Sequence, residues 1–150
     1  LIIFNVICFI FFITPIGENY LFLFVQINNK VINDLEVWRL FTAMFLHSDI
    51  MHLFSNMFGL LLFGALVENN FSKSEFLFIY FISGLIGNTF SLFLLPIFSI
   101  SLGASGAIFG LLGASFVLIA FENPSASFFD AVFFIRFPNA YISSYLPNNL

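Results

Sequence analysis

Charge is what this chain has least of. Eight acidic and four basic side chains among 150 residues leave it 8% charged and 61% hydrophobic, where a soluble domain carries roughly 25% charged residues. A mean hydropathy of +1.07 points to a multi-pass integral membrane protein. The net charge is -4, so no basic patch is available to release counterions from a phosphate backbone, and nucleic acid is excluded as a partner. The single cysteine, Cys8, excludes a disulfide framework and a thiolate metal site. Phenylalanine is abundant, at 26 residues, but neither it nor asparagine recurs at a fixed period, so the excess is compositional.

A helix needs about 20 mainly apolar residues to cross the hydrocarbon core, which makes the distance between charges the useful ruler. Residues 1–17 are uncharged and end at Pro15 and Gly17, predicting a first span. They have no basic region ahead of them and no small-residue cleavage site behind, which disfavours a signal peptide. Residues 50–67 are uncharged and closed by Glu68, predicting a second span. Residues 76–121 contain no charge, which at 1.5 Å per residue is about 69 Å of helix, more than twice the core thickness. Two spans are therefore predicted there, near 76–95 and 103–121, with Pro96 and residues 99–103 as the break. Residues 20–41 carry Lys30, Asp34 and Glu36 and read as an interfacial loop anchored by Trp38 and Arg39. Residues 131–137 begin a partial fifth span. Lys30, Arg39, Lys73 and Arg136 do not separate between alternate loops, so charge leaves the orientation open.

In hydrocarbon a strongly polar side chain marks a candidate site, because it costs free energy unless paired or wetted. Both histidines lie at the start of the second span. His52 and Asn56 are four residues apart and share a helical face, whereas helical spacing would turn His47 about 140° away from His52. Spacing alone leaves this pair open between a functional role and a hydrogen bond to a neighbouring helix. No metal site is expected, since the paired histidines with an intervening Glu of metalloproteases are absent.

The stretch Gly103-Ala104-Ser105-Gly106, followed by Phe109 and Gly110, opens the fourth span. Small residues three and four apart are common in membrane helix packing, and packing alone accounts for Gly106 and Gly110. Ser105 differs by position, because free N-H groups and the positive dipole end at a helix N-terminus can stabilise an oxyanion. Spans two and four run the same way, which predicts that His52 and Ser105 lie near one membrane face. A serine beside such donors is a plausible acyl-transfer site that still lacks a general base.

Trp38-Arg39, the series His47, His52 and Asn56, then Gly64, Glu68 and Gly103-Ala104-Ser105-Gly106, together resemble the rhomboid intramembrane serine proteases. The resemblance covers about half the chain. It implies an all-α, polytopic membrane bundle of six helices, of which four to five are expected here. It also implies that Ser105 is the nucleophile and that His52 and Asn56 hold the oxyanion with the Ser105 N-H. Gly103, His47 and Phe109 would be supporting residues, Phe109 packing against the catalytic histidine. The implied activity is serine endopeptidase cleavage of transmembrane segments of other membrane proteins within the lipid bilayer, with no cofactor and no metal. No histidine follows Ser105, so the base is expected beyond Leu150. Residues 1–150 are accordingly read as one membrane domain truncated at its C-terminus, inactive by itself. The alternative is a pseudoprotease that binds client transmembrane helices without cutting them.

Overall fold

A computed structural model describes residues 1–122. The elements are α1 (Ile2–Phe12), α2 (Pro15–Phe24), β1 (Gln26–Ile27), α3 (Asn28–Asn33), α4 (Arg39–Thr42), α5 (Ile50–Asn70), α6 (Lys73–Leu94), β2 (Ile100–Ser101) and α7 (Ser105–Glu122). A 3-10 turn, Ala43–Phe45, continues α4. Leu1–Ser115 form one compact unit. The predicted partial fifth span at 131–137 lies outside the described residues.

Helices α5 and α6 are each long and apolar enough to cross a membrane. The Asp49 side chain starts α5 by accepting the His52 N-H, which satisfies one of the orphan donors of the first turn. The start of α6 is a reciprocal capping box between Ser72 and Glu75. It moves the helix start to Lys73, ahead of the expected residue 76, because capped charges can stand in the first turn. Leu95 is extended, as a residue before proline prefers, and the predicted break at Pro96 is observed.

The first predicted span is corrected. Helix α1 has 11 residues, about 16 Å, only half the core. It meets α2 at 115°. Thr14 caps α2 by accepting the Gly17 N-H, and Pro15 occupies the first helical position, where its missing N-H costs nothing. A Cβ at Gly17 would overlap the Phe11 carbonyl, so the reversal is too tight for any other residue.

Residues 20–41, expected as a loop, are largely helical and are tied to the rest of the unit through the buried Gln26, Asn28 and Arg39. β1 pairs antiparallel with β2, Gln26 opposite Ser101, which ties this segment to the approach to α7. The fully buried Asn28 donates through Nδ2 to the carbonyls of Ser91, Leu95 and Pro96, covering the open end of α6. Gln26 Nε2 donates to the Asn88 carbonyl and the Ser91 hydroxyl. Trp38 is half exposed, as an interfacial anchor would be, but Arg39 is buried. Its guanidinium pairs with Glu36 and donates to the Phe22 and Val25 carbonyls. Burial is tolerated because these acceptors replace water.

Along α5 the buried residues Leu53, Asn56, Met57, Leu60, Gly64 and Val67 recur at steps of three and four. Phe54, Phe58 and Leu61 form an exposed stripe. Apolar side chains facing lipid gain nothing by leaving it, so helix association rests on close packing. Small residues supply that between α6 and α7. A Cβ at Gly87 would stand 3.2 Å from the Gly106 Cα, and one at Gly110 would overlap the Ser83 hydroxyl. Gly106 and Gly110 thus serve packing.

Candidate functional site

The starts of α5 and α7 meet. The Gly103 N-H donates to the Ala43 carbonyl at 2.9 Å, anchoring the turn into α7 on the segment that leads into α5. Gly103 has φ +120°, a region that side chains avoid. A Cβ there would also lie 2.7 Å from His52 Nε2 and 2.9 Å from its Cε1. The glycine is required twice, by its own backbone and by the imidazole that lies against it.

Ser105, two residues on, is the first residue of α7 and is exposed, while Ala104 before it is fully buried. A cavity of about 300 Å³ between α5 and α7 is lined by Asn56, Gly59, Ser105 and Phe109, among others. Its walls approach closely at Gly59, where a Cβ would stand 3.0 Å from Ile108 Cγ2. Among the described residues the Ser105 hydroxyl makes no hydrogen bond. Phe109 is 70% exposed and forms part of the cavity wall. His52 does not line the cavity; its ring borders Gly103 instead.

Asn56 is buried and donates from Nδ2 to the His52 carbonyl at 2.9 Å. An amide carries two N-H bonds, so one remains for the cavity. The Ser55 hydroxyl donates to the same carbonyl at 3.0 Å.

His47 does not stand where helical spacing put it. It precedes α5, so the 140° rotation does not apply, and its ring packs edge-on against that of His52 with centroids 5.1 Å apart. It is 8% exposed, and among the described residues neither ring nitrogen has a well-formed hydrogen bond. Burial, and secondarily the neighbouring His52, lowers its pKa to about 4, so it is neutral near pH 7.

Two residues that sequence reasoning passed over complete the cluster. The Ser48 hydroxyl lies 2.7 Å from Asp49 Oδ2 and 3.1 Å from His52 Nδ1, and Asp49 Oδ1 accepts the His52 N-H at 2.8 Å. The Asp49 carboxyl is held below its ordinary pKa by the His52 N-H first and the Ser48 hydroxyl next. The signal was available: Asp49 directly precedes the apolar run, where an N-cap belongs. Among the described residues no group of three or more His, Cys, Asp or Glu converges in a way that would hold a metal.

A model of the Rhomboid domain matches residues 34–145. RHOMBOID-like protein 6, mitochondrial, of Arabidopsis thaliana is 48% identical over 85 residues, covering 57% of this chain and 27% of that protein. Rhomboid-like protease 3 of Toxoplasma gondii is 36% identical over 81 residues, 54% of this chain and 30% of that protein. Inactive RHOMBOID-like protein 8 of Arabidopsis thaliana is 43% identical over 86 residues, 57% of this chain and 24% of that protein. The chain thus spans less than a third of the length of these three relatives. Three-quarters of its own residues fall within the domain match, and with its apolar helices this establishes that the chain belongs to the rhomboid family of multi-pass integral membrane proteins.

Proposed function

We propose that this chain is the serine-bearing part of an intramembrane endopeptidase. The observation that carries the reading is the position of Ser105: it opens α7, lines one cavity with Asn56, and follows by two residues the glycine on which His52 rests. In this reading Ser105 Oγ attacks a peptide carbonyl. The first N-H groups of α7 have no preceding turn to accept them, and with Asn56 and His52 they stabilise the developing oxyanion. A further histidine takes the Ser105 proton, since His52 is kept for the oxyanion and His47 is buried beside it. Residues 1–150 alone are therefore expected to show no cleavage, because a serine without an adjacent base is a weak nucleophile. Peptide bonds in a helix are shielded by their own hydrogen bonds. The expected substrates are thus transmembrane segments with Gly, Pro or other helix-weakening residues near the cut.

The test is cleavage of a model transmembrane substrate in proteoliposomes by a full-length product of the gene. Ser105→Ala should abolish it. His52→Ala or Asn56→Ala should each lower turnover by about 10² to 10³, the usual cost of one oxyanion donor. Cleavage that survives Ser105→Ala overturns the reading. One observation favours a second reading, a pseudoprotease that holds client helices: the chain's 43% identity to a relative named inactive falls between its 36% and 48% to the other two. Full-length protein that binds such segments without cutting them would decide for it.

A further inference from the structure

Asp49, Ser48 and His52 form a chain whose protons can be counted. Asp49 is ionised near neutral pH, its carboxyl being held below the ordinary range, and a carboxylate only accepts. The Ser48 hydroxyl has one proton to give. It lies closer to Asp49 Oδ2, at 2.7 Å, than to His52 Nδ1, at 3.1 Å. If that proton pointed at His52, the 2.7 Å contact would set hydroxyl lone pairs against carboxylate lone pairs. The proton therefore goes to Asp49, in a short charge-assisted bond, and the bond between Ser48 and His52 must be donated by the imidazole.

We propose that Asp49, acting through Ser48, holds His52 in the Nδ1-H form, so that Nε2, the atom against Gly103, donates a hydrogen bond only when the ring is an imidazolium. Ser48 and Asp49 are then positioning residues that act through His52. Under the endopeptidase reading, on which this consequence rests, the histidine serves the oxyanion as a cation, and a charged donor bonds roughly twice as strongly as a neutral one. The surroundings are compatible with that. Asp49, whose charge is opposite, accepts the His52 N-H, and His47, neutral near pH 7, sets no like charge 5.1 Å away.

The deciding experiment is nitrogen-15 NMR of histidine-labelled chain in detergent micelles at alkaline pH, with His47→Gln to assign the two rings. The expected spectrum of the otherwise unaltered chain shows a protonated Nδ1 and a bare Nε2. A predominant Nε2-H form there overturns the proposal, whatever any variant does. Asp49→Asn should reverse the tautomer: asparagine caps a helix as well as aspartate, but its amide can donate to Ser48 and so turn the Ser48 proton toward Nδ1. Ser48→Ala should lose the Nδ1-H preference and Ser48→Thr should keep it. A tautomer unchanged in Asp49→Asn also overturns the proposal. In a full-length product that cleaves in a Ser105-dependent way, Ser48→Ala should lower kcat about tenfold with KM unchanged, less than the roughly 10² to 10³ for losing a donor outright. Ser48→Thr should restore it. Unchanged kcat in Ser48→Ala removes the positioning role while Ser105 dependence keeps the endopeptidase reading. Cleavage indifferent to Ser105→Ala removes that reading and leaves the tautomer result standing.

Discussion

Replacing Gly103 with alanine tests the joint between the two helices that carry the candidate site. Two costs are legible. The backbone sits at φ +120°, and holding a side chain in such a sparsely populated region costs roughly 1–3 kcal/mol. The new Cβ would lie 2.7 Å from His52 Nε2 and 2.9 Å from Cε1, and overpacking of that kind typically costs about 1–3 kcal/mol. The imidazole can swing away to relieve the second cost, but only by giving up its bond to Ser48. We expect a net loss of about 2–4 kcal/mol, a large share of the roughly 5–15 kcal/mol that stabilises a typical domain. Gly64→Ala is the control. It lies inside α5, where a Cβ would meet Leu60 and Phe76 at ordinary contact distances of 3.5 Å and beyond, and alanine in a helix gains about 0.5–1 kcal/mol over glycine. Reversible unfolding in mixed micelles, followed by helical circular dichroism, would measure both. Gly103→Ala as stable as Gly64→Ala would refute the reasoning, for it would mean that neither the backbone strain nor the contact with His52 exists.

Two further outcomes follow from buried polar groups. His47 titrates near 6.5 when unfolded and near 4 when folded, so the unfolded state binds the proton first. Its neutral burial favours the fold above pH 6.5, and that contribution drains away as pH falls from 6.5 toward 4. Unfolding curves across that window should flatten in His47→Gln, and an unaltered acid limb would contradict the burial of this ring. Asn28→Ala would take the side-chain donor from the Leu95 carbonyl, while the Ser91 and Pro96 carbonyls keep the Leu95 and Ser99 N-H groups. The expected loss is about 1–3 kcal/mol, the usual penalty for an unsatisfied buried group; a change under about 0.5 kcal/mol would show that the Leu95 carbonyl finds another partner.

Several features were legible before any coordinates. The two long helices announced themselves through charge spacing, and the interruption before α7 through Pro96. The relation of Ser105 to the start of α5 followed from counting antiparallel passes. The bend between α1 and α2 was also written locally, in Thr14, Pro15 and Gly17, yet a ruler that counts only charges runs straight through an uncharged cap. The pairing of His47 with His52 escaped because His47 lies ahead of the helix, where 3.6-residue periodicity stops being a guide to neighbours.

Sequence by itself therefore determined the solvent, the main membrane helices and the family motifs, because each depends on free energies summed along a short stretch: transfer of apolar residues, a cap, a proline. Only the tertiary structure decided that Arg39 is buried against backbone carbonyls, that His47 lies against His52, and that Gly103 gives its missing side chain's space to an imidazole. Those outcomes depend on residues brought together from different elements. The cost of a buried charge or a close approach has no sign until the partner that satisfies or blocks it is in place.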